Sequence, residues 1–359
     1  MTTMMAVRTR QQWYENMKNQ VNPISPFDSD TKLEDLLKTF FELSSIGILP
    51  HAKTKDLFES RKFIDTFCKQ IMYDDKNLEY VVPIPWREPR LKVQSMLRPA
   101  IAQLISHGKL LKELNLLKAY DDCIQLYLQK GFIKPIEEML QEANEIDTTY
   151  LCHFGVISES KSTPLRIVFQ CNKQGKNNIS INNAAYTGVN LLPSVMDMQL
   201  KSRCGRILIC SDLEKAFHSL RLRDEDHNRF RFLWFENGNL QGRIKIYAFQ
   251  YLLFGFISSP FILYCCLQMH LQRFQEVDKD LNALFPKGNI QKMVKIVAQV
   301  LADSLYSDNS IVTFENTDDA IAFCKLSPKL MELGNFKLSK FTSNDKNVLQ
   351  HVDISKQQT

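Results

Sequence analysis

Two short stretches of this chain run apolar segments into carboxylates. In Ile207-Leu-Ile-Cys-Ser-Asp212-Leu-Glu-Lys-Ala-Phe217 a strand-like run leads straight into Asp212, and an aromatic, Phe217, follows five residues later. A carboxylate at the end of a buried strand is a rigid support for a divalent cation, which takes hard oxygen ligands at fixed positions. In Ala302-Asp-Ser-Leu-Tyr306-Ser-Asp308-Asn309-Ser-Ile-Val-Thr-Phe314 two apolar runs flank a polar tip. That pattern predicts a β-hairpin with Asp308 and Asn309 in its turn. Between the two lies Leu253-Phe254-Gly255-Phe-Ile-Ser-Ser-Pro260-Phe261. Its glycine lets a ligand approach the backbone closely, and its proline suits the first turn of an apolar helix. Taken singly, each stretch has an ordinary reading: an Asp closing a strand, turn chemistry, a strand-to-helix connection.

The elements that must position these residues are short. From Thr149 onward β-rich runs recur at Gly155–Ile157, Leu165–Phe169, Arg206–Cys210 and Phe230–Phe235, bounded by Gly, Asn and Asp. Asn237-Gly238 predicts a tight hairpin turn. Helices are expected at about 214–220, 259–275 and 317–333, so this part reads as an α+β domain.

Ahead of it the pattern is helical. Residues 1–28 are polar, with Pro23 and Pro26, and read as a leader or linker. Thr31-Lys-Leu-Glu34 has capping-box spacing and opens an apolar face of Leu33, Leu36, Leu37, Phe40 and Phe41, which Gly47 ends. The prolines of Tyr80–Trp86 favour extended backbone. From Leu91 to Leu140 two helices are expected, divided at Gly108, with Gly131 and Pro135 closing the block. The resulting division is a leader over 1–30, a helical region over 31–145, the α+β domain over 146–350 and a short tail over 351–359.

Composition bounds these readings without choosing among them. The chain has 359 residues, 44% hydrophobic and 24% charged, which suits a sizeable core and argues against global disorder. A net charge of +5 is compatible with nucleic-acid binding. The nine cysteines form no C-x-x-C pair and are expected to be free thiols. Residues 247–269 carry no charge, but Gly255, Ser258, Ser259 and Pro260 interrupt them, so we expect a strand, a turn and a buried helix rather than a membrane span.

In order and spacing, the Asp212, Gly255–Pro260 and Asp308 stretches resemble motifs A, B and C of reverse transcriptases. The surroundings sharpen this toward BEL/Pao-type retrotransposon polyproteins. Tyr150-Leu-Cys-His-Phe-Gly-Val156 and Thr163-Pro-Leu-Arg166-Ile-Val-Phe169 resemble that family's entry to the fingers and its fingers strand. Leu36–Ile48 and Tyr80–Pro135 resemble the helical region after its protease, and Gly334-Asn-Phe-Lys-Leu-Ser-Lys340-Phe-Thr-Ser-Asn344 resembles motif D. The resemblance covers roughly residues 31–350.

What it implies is a right-hand polymerase, with fingers and a palm built on a small antiparallel sheet, acting as an RNA-directed DNA polymerase. Asp212, Asp308 and Asn309 would ligate two Mg²⁺ ions, with Mn²⁺ as the alternative, and the Leu213 carbonyl would assist. Arg166 and Lys161 would hold the incoming triphosphate. Phe217 would be the steric gate against a 2′-hydroxyl, with Phe254 and Gly255 lining the same pocket. Lys340, or Lys337, would act as general acid toward pyrophosphate, and Tyr306 would sit near the primer end. Arg203, Arg206, Arg229 and Arg231 would serve phosphates or be plain surface charges. The implied partners are an RNA or DNA template-primer, deoxynucleoside triphosphates and the protease, RNase H and integrase of a full element, in a cytoplasmic retroelement particle or the nucleus, with no membrane.

The chain departs from the family pattern in three places. Asn309 stands where motif C usually has a second Asp, Gln170 where the fingers strand is usually followed by Asp, and Cys152 where Pro is usual. We expect weakened metal binding from the first. No primer grip or thumb is recognisable before Thr359, so polymerisation by this chain alone is expected to be feeble or absent. A non-catalytic fragment that only binds nucleic acid is therefore the rival expectation.

Overall fold

In the computed structural model the chain divides into two units, Met1–Thr54 and Lys55–Thr359. The described residues, 54–137, 148–157, 165–276 and 289–357, belong to the second unit apart from Thr54. The capping box at Thr31, the helix expected after it and Lys161 lie outside the described residues.

The order begins with α1 (Thr54–Cys68), β1 (Met72–Asp74), β2 (Glu79–Val82), α2 (Leu97–Glu113), α3 (Leu117–Gln129) and β3 (Ile133–Ile136). Then come β4 (Tyr150–Leu151), β5 (His153–Ile157), β6 (Leu165–Phe169), α4 (Ile181–Ala184), α5 (Val195–Lys201), β7 (Ile207–Leu213) and β8 (Leu220–Leu222). A 3-10 turn, Ala216–Ser219, joins β7 to β8. The rest is β9 (Arg231–Phe235), β10 (Ile244–Phe249), α6 (Ser259–Glu276), α7 (Asn289–Ser304), β11 (Leu305–Tyr306), β12 (Asn309–Phe314), α8 (Thr317–Glu332), β13 (Leu338–Ser343) and α9 (Lys346–Leu349). This is an α+β arrangement with several separate sheets.

The sheet that matters most for the site has the order β11-β12-β7-β13 and is antiparallel throughout. Along β7 burial alternates: Ile207, Ile209, Ser211 and Leu213 point into the protein, while Leu208, Cys210 and Asp212 are half-buried on the other face. That alternation is the period of a half-covered strand. The covering layer comes from α7 and α8, which pack on β12, with α6 behind α7. A second sheet has the order β3-β10-β9-β4, and its strand β9 is buried at every position, from Arg231 to Phe235. There Trp234 Nε1 donates to Asp121 Oδ1 at 2.8 Å, which satisfies the one polar atom of a fully buried ring.

Several local expectations change. Gly108 does not divide two helices; it lies inside α2, and a Cβ there would stand 2.7 Å from Leu240 Cδ2 and 2.9 Å from Phe235 Cε2. Its small size serves close packing, and the break falls instead at Asn115, whose φ is 56°. Pro135 sits in β3, an edge strand, where a missing N–H costs no ladder bond. Asn237 and Gly238 both take positive φ, but the β9–β10 connection runs over residues 236–243 and is not a tight turn. Residues 302–304 end α7, so the first arm of the expected hairpin is only Leu305–Tyr306, and Asn309 begins β12 instead of lying in the turn. The segment expected as a helix over 214–220 is the short 3-10 turn. Among the described residues no helix is long and apolar enough to cross a membrane.

Candidate functional site

Asp212 is the penultimate residue of β7, and its direct antiparallel partner is Asn309, the first residue of β12. Directly paired residues in such a ladder share a face, with Cβ atoms about 4.5–5.5 Å apart. The Asn309 amide is therefore set across from the Asp212 carboxylate. Asp308 precedes it in the two-residue turn Ser307–Asp308, where Ser307 takes a φ of 57°. The Leu213 N–H donates to the Asp308 carbonyl, which ties the turn to the end of β7. The Leu213 side chain is buried, Asp308 is half-buried and Asn309 is exposed.

Strand β13 flanks β7 on its other side, and its register shifts between Ser339 and Thr342. Lys340, at a φ of 53°, is the extra residue of this β-bulge. The bulge sends Phe341 into the core and turns Lys340 toward Asp212, where Nζ lies 2.7 Å from Oδ2. Lys337 is engaged elsewhere: its Nζ is 2.9 Å from Glu214 Oε2 and holds that carboxyl below its ordinary range.

Phe217, in the 3-10 turn after β7, meets Phe254 edge to face with ring centroids 4.5 Å apart. Phe254 remains half exposed, so the pair forms one wall of an open surface. Gly255 has a φ of 91°, and a Cβ there would stand 2.9 Å from the Phe169 carbonyl oxygen. Only glycine accepts both demands. Asn182 clamps this loop, donating from Nδ2 to the Gly255 carbonyl at 3.1 Å and accepting from the Ile257 N–H at 3.0 Å. Arg166 is exposed on β6, paired in register with Val156.

The Asp212 carboxylate and the Asn309 amide oxygen, set across from one another by the register, are hard oxygen donors, and Asp308 stands one residue away in the turn. Among the described residues no group of three or more His, Cys, Asp or Glu side chains converges on a cation site. The donor set nevertheless suits Mg²⁺, which is commonly held by one or two carboxylates together with substrate phosphates and water. Lys340 at present occupies the charge of Asp212.

Two of the arginines offered for phosphates are unavailable as surface charges. Arg229 and Arg231 are only 5% and 3% exposed. Arg229 stacks over the Trp86 ring at 4.5 Å, and Arg231 donates to Asn228 Oδ1 at 2.8 Å. Arg203 and Arg206 are exposed. The sequence left Asn182 unmarked, because its role depends on a loop 73 to 75 residues away in the chain and leaves no local signal. It also missed His218, buried beside Phe217.

No family model matches the chain, and no curated protein matches it. Among solved structures it is similar to that of a foamy viral protease–reverse transcriptase in complex with double-stranded DNA, at 12% identity and a TM-score of 0.39. That alignment covers 90% of this chain, which spans 46% of the other.

Proposed function

We propose that residues 146–350 are the reverse-transcriptase domain of a retrotransposon polyprotein of the BEL/Pao type, an RNA-directed DNA polymerase. The observation that carries the reading is the register of β7 and β12, which pairs Asp212 with Asn309, next to the Ser307–Asp308 turn, although 96 residues separate the two aspartates. Neither aspartate by itself distinguishes this chain from many others; the pairing of the two strand ends that carry them supports the reading.

In this reading Asp212 and Asp308, with Asn309, hold two Mg²⁺ ions. Bound there, the cations supply the positive charge that draws a primer 3′-hydroxyl and a triphosphate together. Arg166 and Lys161 orient the triphosphate, Arg166 by its planar fork. Phe217, fixed by Phe254, leaves no room for a 2′-hydroxyl and favours deoxynucleotides. Lys340 releases Asp212 when cations arrive and becomes free to donate a proton to departing pyrophosphate. The partners are a template-primer and deoxynucleoside triphosphates, and the setting is a retroelement particle.

The rival reading is a nucleic-acid-binding remnant without catalysis, and two observations favour it: Asn309 in place of a carboxylate, and the Lys340–Asp212 ion pair. Primer extension on a primed RNA template with Mg²⁺ or Mn²⁺ separates the two. Under the polymerase reading Asp212→Asn abolishes extension while template-primer binding persists. Absence of any extension by the unaltered protein, with binding intact, would select the remnant.

A further inference from the structure

A cavity of about 520 Å³ opens beside the Ala216–Ser219 turn, and none of Asp212, Asp308, Arg166 or Phe217 lines it. Its charges are unbalanced: Lys130, Lys215, Arg221 and Lys337 face only two carboxylates, Glu79 and Glu214. Both carboxylates are already engaged, Glu214 by Lys337 at 2.9 Å and Glu79 by Arg221 at 3.4 Å and the Tyr251 hydroxyl at 2.8 Å. Among the described residues no carboxylate makes an ion pair with Lys130 or Lys215. The backbone at Lys215 is left-handed, with a φ of 52°, and its ammonium lies 5.4 Å from the centre of the Phe132 ring. Burial, and then the neighbouring Lys130 ammonium, hold Lys215 below its ordinary range. Two ammonium groups side by side repel unless something negative lies between them.

His218 lines this cavity, is only 7% exposed, and neither ring nitrogen has a hydrogen-bond partner. Both nitrogens are covered, and the ring packs among Phe132, Phe249 and Phe254, so His218 forms an apolar part of the cavity wall.

We propose that this cavity binds a phosphate dianion, with Lys130 and Lys215 as its charge partners. A phosphate carries about −1.5 to −2 charges near neutral pH and three strong acceptor oxygens. The charge matches the surplus of the cavity, and a cation is repelled by it. The ligand is either the free inorganic ion or the terminal phosphate of a nucleic acid. The site also abuts the gate aromatics: the His218 ring is 6.0 Å from that of Phe254, which packs on Phe217. The proposal does not depend on polymerase activity, since it uses neither aspartate.

The test titrates the full chain with inorganic phosphate, followed by phosphorus NMR line broadening. In parallel, fluorescence anisotropy compares a 5′-phosphorylated oligonucleotide with its 5′-hydroxyl twin. Saturable phosphate binding is expected, weakened roughly tenfold or more by Lys130→Gln or Lys215→Gln, as for loss of one charged hydrogen bond. Exposed Lys134→Gln on β3, outside the cavity, leaves it unchanged. Tighter binding of the 5′-phosphorylated strand assigns the ligand to a nucleic-acid end; equal binding of the two strands assigns it to the free ion. Circular dichroism checks folding, and Lys130→Gln, an exposed position, decides alone if Lys215→Gln does not fold. No saturation at millimolar phosphate, or undiminished binding in Lys130→Gln, overturns the proposal.

Discussion

Lys340 Nζ lies 2.7 Å from Asp212 Oδ2, brought there by a β-bulge in the neighbouring strand. The pair is an internal competitor for any cation at Asp212. The lysine side chain is 59% exposed, so the competition is modest, about 0.2–1 kcal/mol for such a pair. Lys340→Gln is expected to tighten Mn²⁺ binding by roughly one and a half- to fivefold, measured by electron paramagnetic resonance of the free ion. The same variant slows primer extension if Lys340 is the general acid. Unchanged Mn²⁺ affinity would show that the ion pair does not guard the carboxylate.

Asn309 stands across the ladder from Asp212. Asn309→Asp puts a second charge there. Without metal it is expected to cost about 0.2–1 kcal/mol through like-charge repulsion across the strands. With Mg²⁺ the sign reverses, because the site gains an anionic ligand. Thermal unfolding with and without Mg²⁺ reads both; a metal-independent shift would place the side chain outside any cation site.

Phe217 and Phe254 brace one another. Phe217→Val removes the ring and opens the wall. Incorporation of ribonucleotides relative to deoxynucleotides is expected to rise by at least about tenfold, the scale of a lost steric contact. An unaltered ratio, in an enzyme that still extends primers, would remove Phe217 from the gate.

His153, His218 and His270 are buried, and burial pushes each down to about 4. Their unfolded value is 6.5, so between pH 6.5 and about 4 the unfolded chain binds more protons than the folded one. Stability contributed by the neutral imidazoles is whole above that window and is lost as pH falls through it. Asp226, pushed up by burial, works in the opposite direction. His107 and His227 are also pushed down by burial, so the histidines outweigh that one carboxyl, and the urea midpoint is expected to fall between about pH 7 and pH 5, by an amount worth a few kcal/mol. A flat profile would mean that these rings are accessible to protons in the folded state.

Gly188 has a φ of 89°, and a Cβ there would fall 2.1 Å from Phe261 Cγ. Phe261 is itself held between Phe63 and Phe67, at 5.6 and 5.0 Å. Gly188→Ala is expected to cost about 1–3 kcal/mol, as overpacking does. Calorimetry reads the loss directly, and an unshifted melting temperature would show that the aromatic cluster yields.

The amino-acid sequence by itself determined the local elements around the site. Strand β7 ending near Asp212, the turn at Asp308, and the strand, turn and helix over 247–269 follow from alternation, turn residues and a helix-starting proline, all of which act within a few residues. It could not determine which strands lie together, so the pairing of Asp212 with Asn309 is a product of sheet assembly. Nor could it place Lys340, because the bulge arises where two residues of β13 oppose one of β7, which keeps Leu338 and Phe341 both in the core. Gly108 looked like a helix stop and is a packing contact with Phe235 and Leu240; Arg229 and Arg231 looked like surface charges and are buried. Positive φ at Lys215, the orphaned ring of His218 and the cavity they share depend on strands and loops drawn from distant parts of the chain. Local periodicity writes the elements, but burial and register are set by long-range packing.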